Sequence, residues 1–191
     1  MNGSLATVRE PLPPGSGSAG RDRSVLLFMA AGDWHSRGMA QIREAQQQDA
    51  EAIRTLGMRL REGVAPWRDR TAVAQAVAGW VEDALAHPGD SGRVMFVAEQ
   101  GQQVVGFVTG GSRAHWSGDQ DAYIGELAVA AGLEGKGVGS ELLAAVERWA
   151  AQRGYARIVL ETGAANTRAR AFYERHGYST EEVVLSRALR T

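Results

Sequence analysis

Three alternating glycines, Gly135, Gly137 and Gly139, separate the run Glu126-Leu127-Ala128-Val129 from a helical pattern that begins near Val138. A strand that passes through a glycine turn into a helix leaves backbone N–H groups free at the positive end of the helix dipole. That arrangement suits a phosphate group. Lys136 adds a cation inside the turn. Spacing excludes two common phosphate loops. A P-loop follows Gly-Lys with Ser or Thr, whereas Gly135-Lys136 is followed by Gly137. A dinucleotide-binding turn needs G-x-G-x-x-G after the first strand of a parallel unit. Here the spacing is G-x-G-x-G, behind the fourth strand-like segment.

A second constellation lies downstream, in Asn166-Thr167-Arg168-Ala169-Arg170-Ala171-Phe172-Tyr173-Glu174-Arg175-His176-Gly177-Tyr178. Asn166 reads as a helix cap and Gly177 as the stop, with Phe172 and Tyr173 between them as core aromatics or as chemistry. Taken together, in this order and spacing, the two segments resemble the GCN5-related N-acetyltransferase (GNAT) superfamily, over roughly Gln41 to Leu189. The family's Gln/Arg-x-x-Gly-x-Gly/Ala falls on Glu134 to Gly139, and its Asn-x-x-Ala-x-x-x-Tyr-x-x-x-Gly-Phe/Tyr falls on Asn166 to Tyr178. Glu134 departs from the pattern, because a carboxylate stands where the family carries Gln or Arg; it is expected to turn outward.

The resemblance implies an α/β (α+β) mixed sheet whose fourth and fifth strands splay apart, with acetyl-CoA as co-substrate and its pantetheine arm in the gap. Leu127, Ala128 and Val129 then offer strand-edge contacts to that arm, as in strand addition. Glu134, Gly135, Lys136, Gly137, Val138, Gly139 and Ser140 surround the pyrophosphate. Asn166, Ala169 and Tyr173 complete the cofactor side.

Acetyl transfer from a thioester to an amine sets three tasks. The amine must lose its proton, although an alkylamine has a pKa of about 10.4 in water. The developing oxyanion needs a donor already in place, most simply a backbone N–H of the fourth strand. The departing thiolate leaves more easily when protonated. The resemblance implies Tyr173 as the acid, the alternative being a packed aromatic whose hydroxyl only orders the thioester. Glu126 is the candidate base, directly or through a water, the alternative being a solvated carboxylate. Strict alternation puts Glu126 on one face with Ile124 and Ala128, opposite Leu127 and Val129. Trp67, Trp116, Asp119 and Tyr123 are the candidate walls of an acceptor pocket, suited to a cationic amine with some apolar surface, the alternative being an ordinary polar hairpin loop. A small-molecule amine is the first expectation for the acceptor, and a protein N-terminus or lysine the second. The reading from another class is a non-catalytic CoA-binding module.

Composition bounds the rest. With 191 residues, the chain holds one domain and a tail. The absence of cysteine excludes disulfides and thiolate chemistry, and a net charge of −1 gives no electrostatic case for nucleic acid or an anionic membrane. His35, His87 and His176 lack metal-ligand spacing, so no metal is expected, and His176 reads as a helix C-terminal cap. The apolar stretch Val25 to Ala31 is too short to span a bilayer. The absence of cysteine fits a reducing cytoplasm, and the resemblance is compatible with a monomer or a homodimer.

Residues 1 to 38, with Pro11, Pro13 and Pro14 running into Gly15-Ser16-Gly17-Ser18, read as a disordered extension, and 39–191 as the domain. Within the domain, a strand over Ala40–Ala45 precedes a helix capped by Asp49 and reaching Gly63. A second helix runs from Asp69 to His87, with Val73, Val77, Trp80, Val81 and Leu85 as its buried stripe. A hairpin of Arg93–Glu99 and Gln103–Gly111 follows, then a strand over Tyr123–Val129. A helix from Val138 to Gly154, a short strand Ile158–Leu160, the helix capped by Asn166, and a last strand over Tyr178–Leu189 complete the pattern.

Overall fold

A computed structural model of the chain describes residues 40–87 and 92–189. The chain divides into two units, Met1–Trp34 and His35–Thr191, and every described residue belongs to the second. The expectations for the N-terminal extension therefore lie outside the described residues.

Five strands form one sheet: β1 (Gln41–Glu44), β2 (Val94–Gln100), β3 (Gln103–Ala114), β4 (Gln120–Val129) and β5 (Ile158–Leu160). They lie in chain order. The first four are antiparallel, and β5 runs parallel to β4. The β2–β3 turn uses Gly101 and Gln102, both at positive φ (56° and 64°), which matches the twist of its flanking strands. The β3–β4 hairpin is longer than the sequence pattern suggested. Its strands continue to Ala114 and start again at Gln120, leaving only a short tip.

Among the described residues, four α-helices join the sheet: α1 (Ala50–Gly57), α2 (Arg70–Ala86), α3 (Val138–Gln152) and α4 (Thr167–Arg175). One face of the sheet packs against α1 and α2, through Ile53, Leu56 and Val81 set on Met95, Val97, Phe107 and Ala128. The other face lies under α3. Gly106 and Gly110 of β3 bring the backbone so close to Leu142, Val146 and Trp149 that an added Cβ stands 2.7 to 3.2 Å from their side chains. Alternation along β2 and β3 thus sends residues to both layers, and both faces are buried.

Three local expectations are corrected. The first helix does not run unbroken to Gly63: α1 ends at Gly57 and the chain tightens into a 3-10 turn at Met58–Arg61. Asp49 does not cap α1 with its side chain. It is buried and forked by Arg43 at 2.7 and 2.9 Å, while the backbone N–H of Gln46 donates to it at 2.8 Å. Trp80 is exposed, because α2 turns only Val77 and Val81 fully inward.

The Arg43 guanidinium also donates to Glu99, so it ties β1, β2 and the entry to α1 together. It holds the Asp49 carboxyl below its usual range, with the Gln46 N–H assisting, against desolvation that pushes the other way. Breaking such a pair leaves an uncompensated charge. Asp49→Asn is expected to lower stability by about 2 kcal/mol in urea unfolding at neutral pH, somewhat below the range for fully buried pairs. The sign of the pH dependence follows from linkage. A depressed folded-state pKa stabilises above the unfolded value of about 3.9 and loses that contribution as pH falls, so the gap between wild type and variant narrows below about pH 4.

The last expected strand is also corrected. Residues 178–189 form no strand. A strand persists only when a neighbour receives its N–H and C=O groups, and β5 offers an edge of three residues. Val183, Val184, Leu185 and Leu189 remain exposed.

Candidate functional site

The site begins where β4 leaves β5. Their ladder covers only Ala122–Ile124 against Ile158–Leu160, and β4 continues beyond it to Val129. Ala130 donates its N–H to Val105 on β3. Alternation then turns the backbone of Ala128 to β3 as well, and that of Leu127 and Val129 away from it. Ala128 has its side chain in the core and its backbone in the β3 ladder.

The glycine turn follows at once. Gly135 and Gly137 have φ of 75° and 89°, and a Cβ built at either meets nothing within 4 Å, so the space above the turn is open. Gly137 is the N-cap of α3. The first helical turn leaves the N–H groups of Val138, Gly139 and Ser140 without intrahelical acceptors. Gly139 lies against Phe172, at 3.4 Å from an added Cβ, which sets α4 beside the turn. His176, the C-cap of α4, links the two elements. Its Nδ1 donates to the Phe172 carbonyl at 2.8 Å, so its Nε2 accepts from the Ser140 hydroxyl at 2.9 Å.

Glu134 is held beside the turn by its own partners. One oxygen accepts from Arg59 at 2.6 Å and the other from the Gly132 N–H at 2.7 Å, with Arg168 at 3.6 Å. Desolvation pushes its carboxyl up, but the N–H groups of Glu134 itself and Gly132, with Arg59 and Arg168, hold it below the usual range. The departure from the family pattern is thus neutralised locally. Two arginines, Arg59 and Arg168, stand beside the turn. Arg59 had no signal in the sequence, since it lies 75 residues from its partner.

Asn166 caps α4, its side chain accepting from the Ala169 N–H at 3.1 Å, so Asn166 and Ala169 act here as a helix start. Tyr173, half-buried, packs edge-on against Phe172 and Tyr178. Burial pushes its phenol up to about 12, which keeps it protonated through the neutral range.

Glu126 is buried, on the β4 face shared with Ala128 and the α1–α2 layer. Strict alternation fails here. Leu127 pairs with Val108 but Ile124 with Gly110, so β4 carries one extra residue, a β-bulge opposite Thr109. The bulge moves Ile124 under α3 while Tyr123 and Glu126 remain on the other face. The Thr109 hydroxyl donates to Glu126 Oε2. Arg113, paired to Glu161 at 2.6 Å, lies over the Tyr123 ring at 5.4 Å.

The remaining acceptor candidates lie on exposed loops. Trp67 is 70% exposed in the loop before α2, and Trp116 is 84% exposed at the β3–β4 tip, its indole donating to Glu182. Asp119 holds that tip together by accepting from Ser117. A groove of about 540 Å³ lined by Arg93, Arg148, Trp149 and Arg153 lies between the β1–β2 edge and α3, away from all of these groups. Among the described residues, no group of three His, Cys, Asp or Glu side chains is placed to hold a metal, and no helix is long and apolar enough to cross a membrane.

The strand edge at Leu127–Val129 thus runs directly into the glycine turn. The chain has relatives among known proteins. The sequence profile of the Acetyltransferase (GNAT) family matches residues 44–178. An aminoglycoside N-acetyltransferase, AAC(6')-Iy, solved in complex with CoA, has a similar fold, with a TM-score of 0.62 at 21% identity over 82% of this chain and 99% of that one. So does an N-acetyltransferase from Ralstonia eutropha, with a TM-score of 0.62 at 22% identity over 78% of this chain and 98% of that one. A transcriptional regulator from Bacillus halodurans shares the fold with a TM-score of 0.57 at 22% identity over 78% of this chain and 99% of that one. No curated protein matches the chain.

Proposed function

The chain belongs to the Acetyltransferase (GNAT) family, whose profile spans residues 44–178, and from that premise we propose that it moves an acetyl group from acetyl-CoA to a primary amine of a small molecule, by direct attack in a ternary complex. The observation that carries this reading is the β4 edge at Leu127–Val129, beyond the β5 ladder, leading into a turn with unpaired N–H groups and open space above it. Acetyl-CoA supplies the activated acyl group. Everything else falls to this chain's residues.

Gly137 to Ser140 offer backbone donors to the diphosphate, and Lys136 and Arg168 supply positive charge around it. Leu127 and Val129 pair with the arm and fix the thioester at the bulge. Glu126 takes the proton from the amine, directly or through a water. The amine nitrogen forms its bond to the carbonyl carbon as the C–S bond breaks, and Tyr173 gives its phenolic proton to the departing sulfur. A thiolate with a pKa near 8.5 leaves faster when protonated, and a phenol held near 12 still carries its proton at neutral pH.

A small-molecule acceptor is supported by the aminoglycoside acetyltransferases among proteins of this fold. The test is thiol release from acetyl-CoA with a panel of sisomicin, spermine and a lysine-containing peptide, with the acetylated product weighed by mass spectrometry. Acetylation of the peptide alone assigns a protein acceptor. CoA binding without turnover across a broad panel makes the domain a binding module and ends the reading.

Tyr173→Phe is expected to lower kcat by roughly 10- to 100-fold, at the low end for a lost general acid, with the Kd for acetyl-CoA unchanged. Wild-type turnover in a chemistry-limited assay removes the acid role.

A further inference from the structure

We propose that Thr109 is a positioning residue for the reaction, one hydroxyl that fixes both the backbone and the carboxylate of Glu126. The inference rests on the reading of Glu126 as the base.

The bulge creates the need. Gly125 and Glu126 together face the single residue Thr109 between the paired positions Val108–Leu127 and Gly110–Ile124. An inserted residue leaves the ladder locally short of partners. The Thr109 Oγ1 accepts the Glu126 N–H at 2.9 Å in place of a backbone carbonyl. The same oxygen donates its own proton to Glu126 Oε2. Thr109 and Glu126 are only 8% and 9% exposed, so water competes poorly for either bond. The hydroxyl is therefore committed through its lone pair and through its proton to the same residue.

Gly125 shows how closely the device is packed. A Cβ at that position would stand 2.8 Å from the Thr109 Oγ1, whose two bonds leave it nowhere to go. A glycine is required there for approach, since its φ is not positive. The bulge itself decides the face. Without the extra residue, Glu126 shares a face with Ile124, whereas the register places Ile124 under α3 and leaves Glu126 on the Tyr123 side.

The test uses the full chain with acetyl-CoA and the fastest amine of the panel above, comparing Thr109→Val, Thr109→Ser, Glu126→Gln and the Thr109→Val/Glu126→Gln double variant. Thr109→Val keeps the shape and removes both bonds. It is expected to lower kcat by roughly 10- to 100-fold, the scale of a reacting group displaced by about 1 Å, with KM for acetyl-CoA unchanged. Thr109→Ser is expected to run near the wild-type rate. The double variant is expected to be no slower than Glu126→Gln, because Thr109 acts through that carboxylate.

Full activity of Thr109→Val beside a slow Glu126→Gln overturns the proposal and leaves the base reading intact. Full activity of Glu126→Gln overturns the base reading itself. Equal losses in the valine and serine variants, or losses that multiply in the double variant, reduce Thr109 to packing and also overturn the proposal. Should Thr109→Val fail to fold, Gly125→Ala retains the hydroxyl and displaces it, and an unchanged kcat in that variant is equally decisive against the proposal.

Discussion

Gly137→Asp is expected to abolish binding of acetyl-CoA while leaving a folded domain. Gly137 has φ of 89°, in the left-handed region where Asp is among the few tolerated side chains, so the conformational cost is about 1 kcal/mol. The open space above the turn accepts the new side chain without a clash. Its carboxylate then occupies the place where the diphosphate meets the free N–H groups of α3. Two unit charges at about 4 Å, near a protein surface, repel by about 4 kcal/mol, which raises Kd by roughly 1000-fold. Lys136 and Arg168 reduce that figure without reversing its sign. Calorimetric titration with CoA at fixed salt measures the loss, and a thermal melt run alongside separates it from unfolding. Gly137→Ala, which adds no charge, is expected to bind far better than the aspartate variant. Unchanged affinity in Gly137→Asp removes the turn from the binding site.

Glu126→Gln is expected to lower kcat by roughly 100-fold near neutral pH, at the low end for a lost general base. The amide keeps the shape of the carboxylate but holds no proton-accepting charge. The deficit is largest where the acceptor is an ammonium ion and shrinks as pH approaches the amine's own pKa, about 10.4 for an alkylamine, because free amine then needs no base. A pH–rate profile between about pH 6 and 10 therefore shows the variant converging on the wild type from below, with KM for acetyl-CoA unaffected. A profile parallel to the wild type at full activity retires Glu126. The contrast with Gly137→Asp is informative, since one variant loses the donor and the other loses the rate.

The parts legible in the sequence are those in which neighbours in the chain are neighbours in space. The glycine turn and α3 follow from residues 135 to 152, and Asn166 caps α4 on a residue three positions away. Five strands and four helices correspond to patterns of period 2 and 3.6, although α1 stops at Gly57 and Trp80 faces solvent. The last strand illustrates the limit of pattern reading. Tyr178 to Leu189 has strand-like composition, yet strand formation depends on a partner edge that local composition cannot supply.

What the sequence determined alone is the proposed donor side: the spacing of Gly135, Gly137 and Gly139 behind a strand, and the Asn166–Tyr178 helix, are local features dictated by backbone sterics and capping. The tertiary structure decided the proposed reacting side. A one-residue bulge moved Ile124 to the α3 layer and kept Glu126 on the Tyr123 face beneath Thr109, 17 residues away. Arg59 crossed 75 residues to neutralise Glu134, the one residue that departed from the family pattern. Register and long-range ion pairing depend on which strands and turns meet, and that is a property of the folded chain rather than of any window along it.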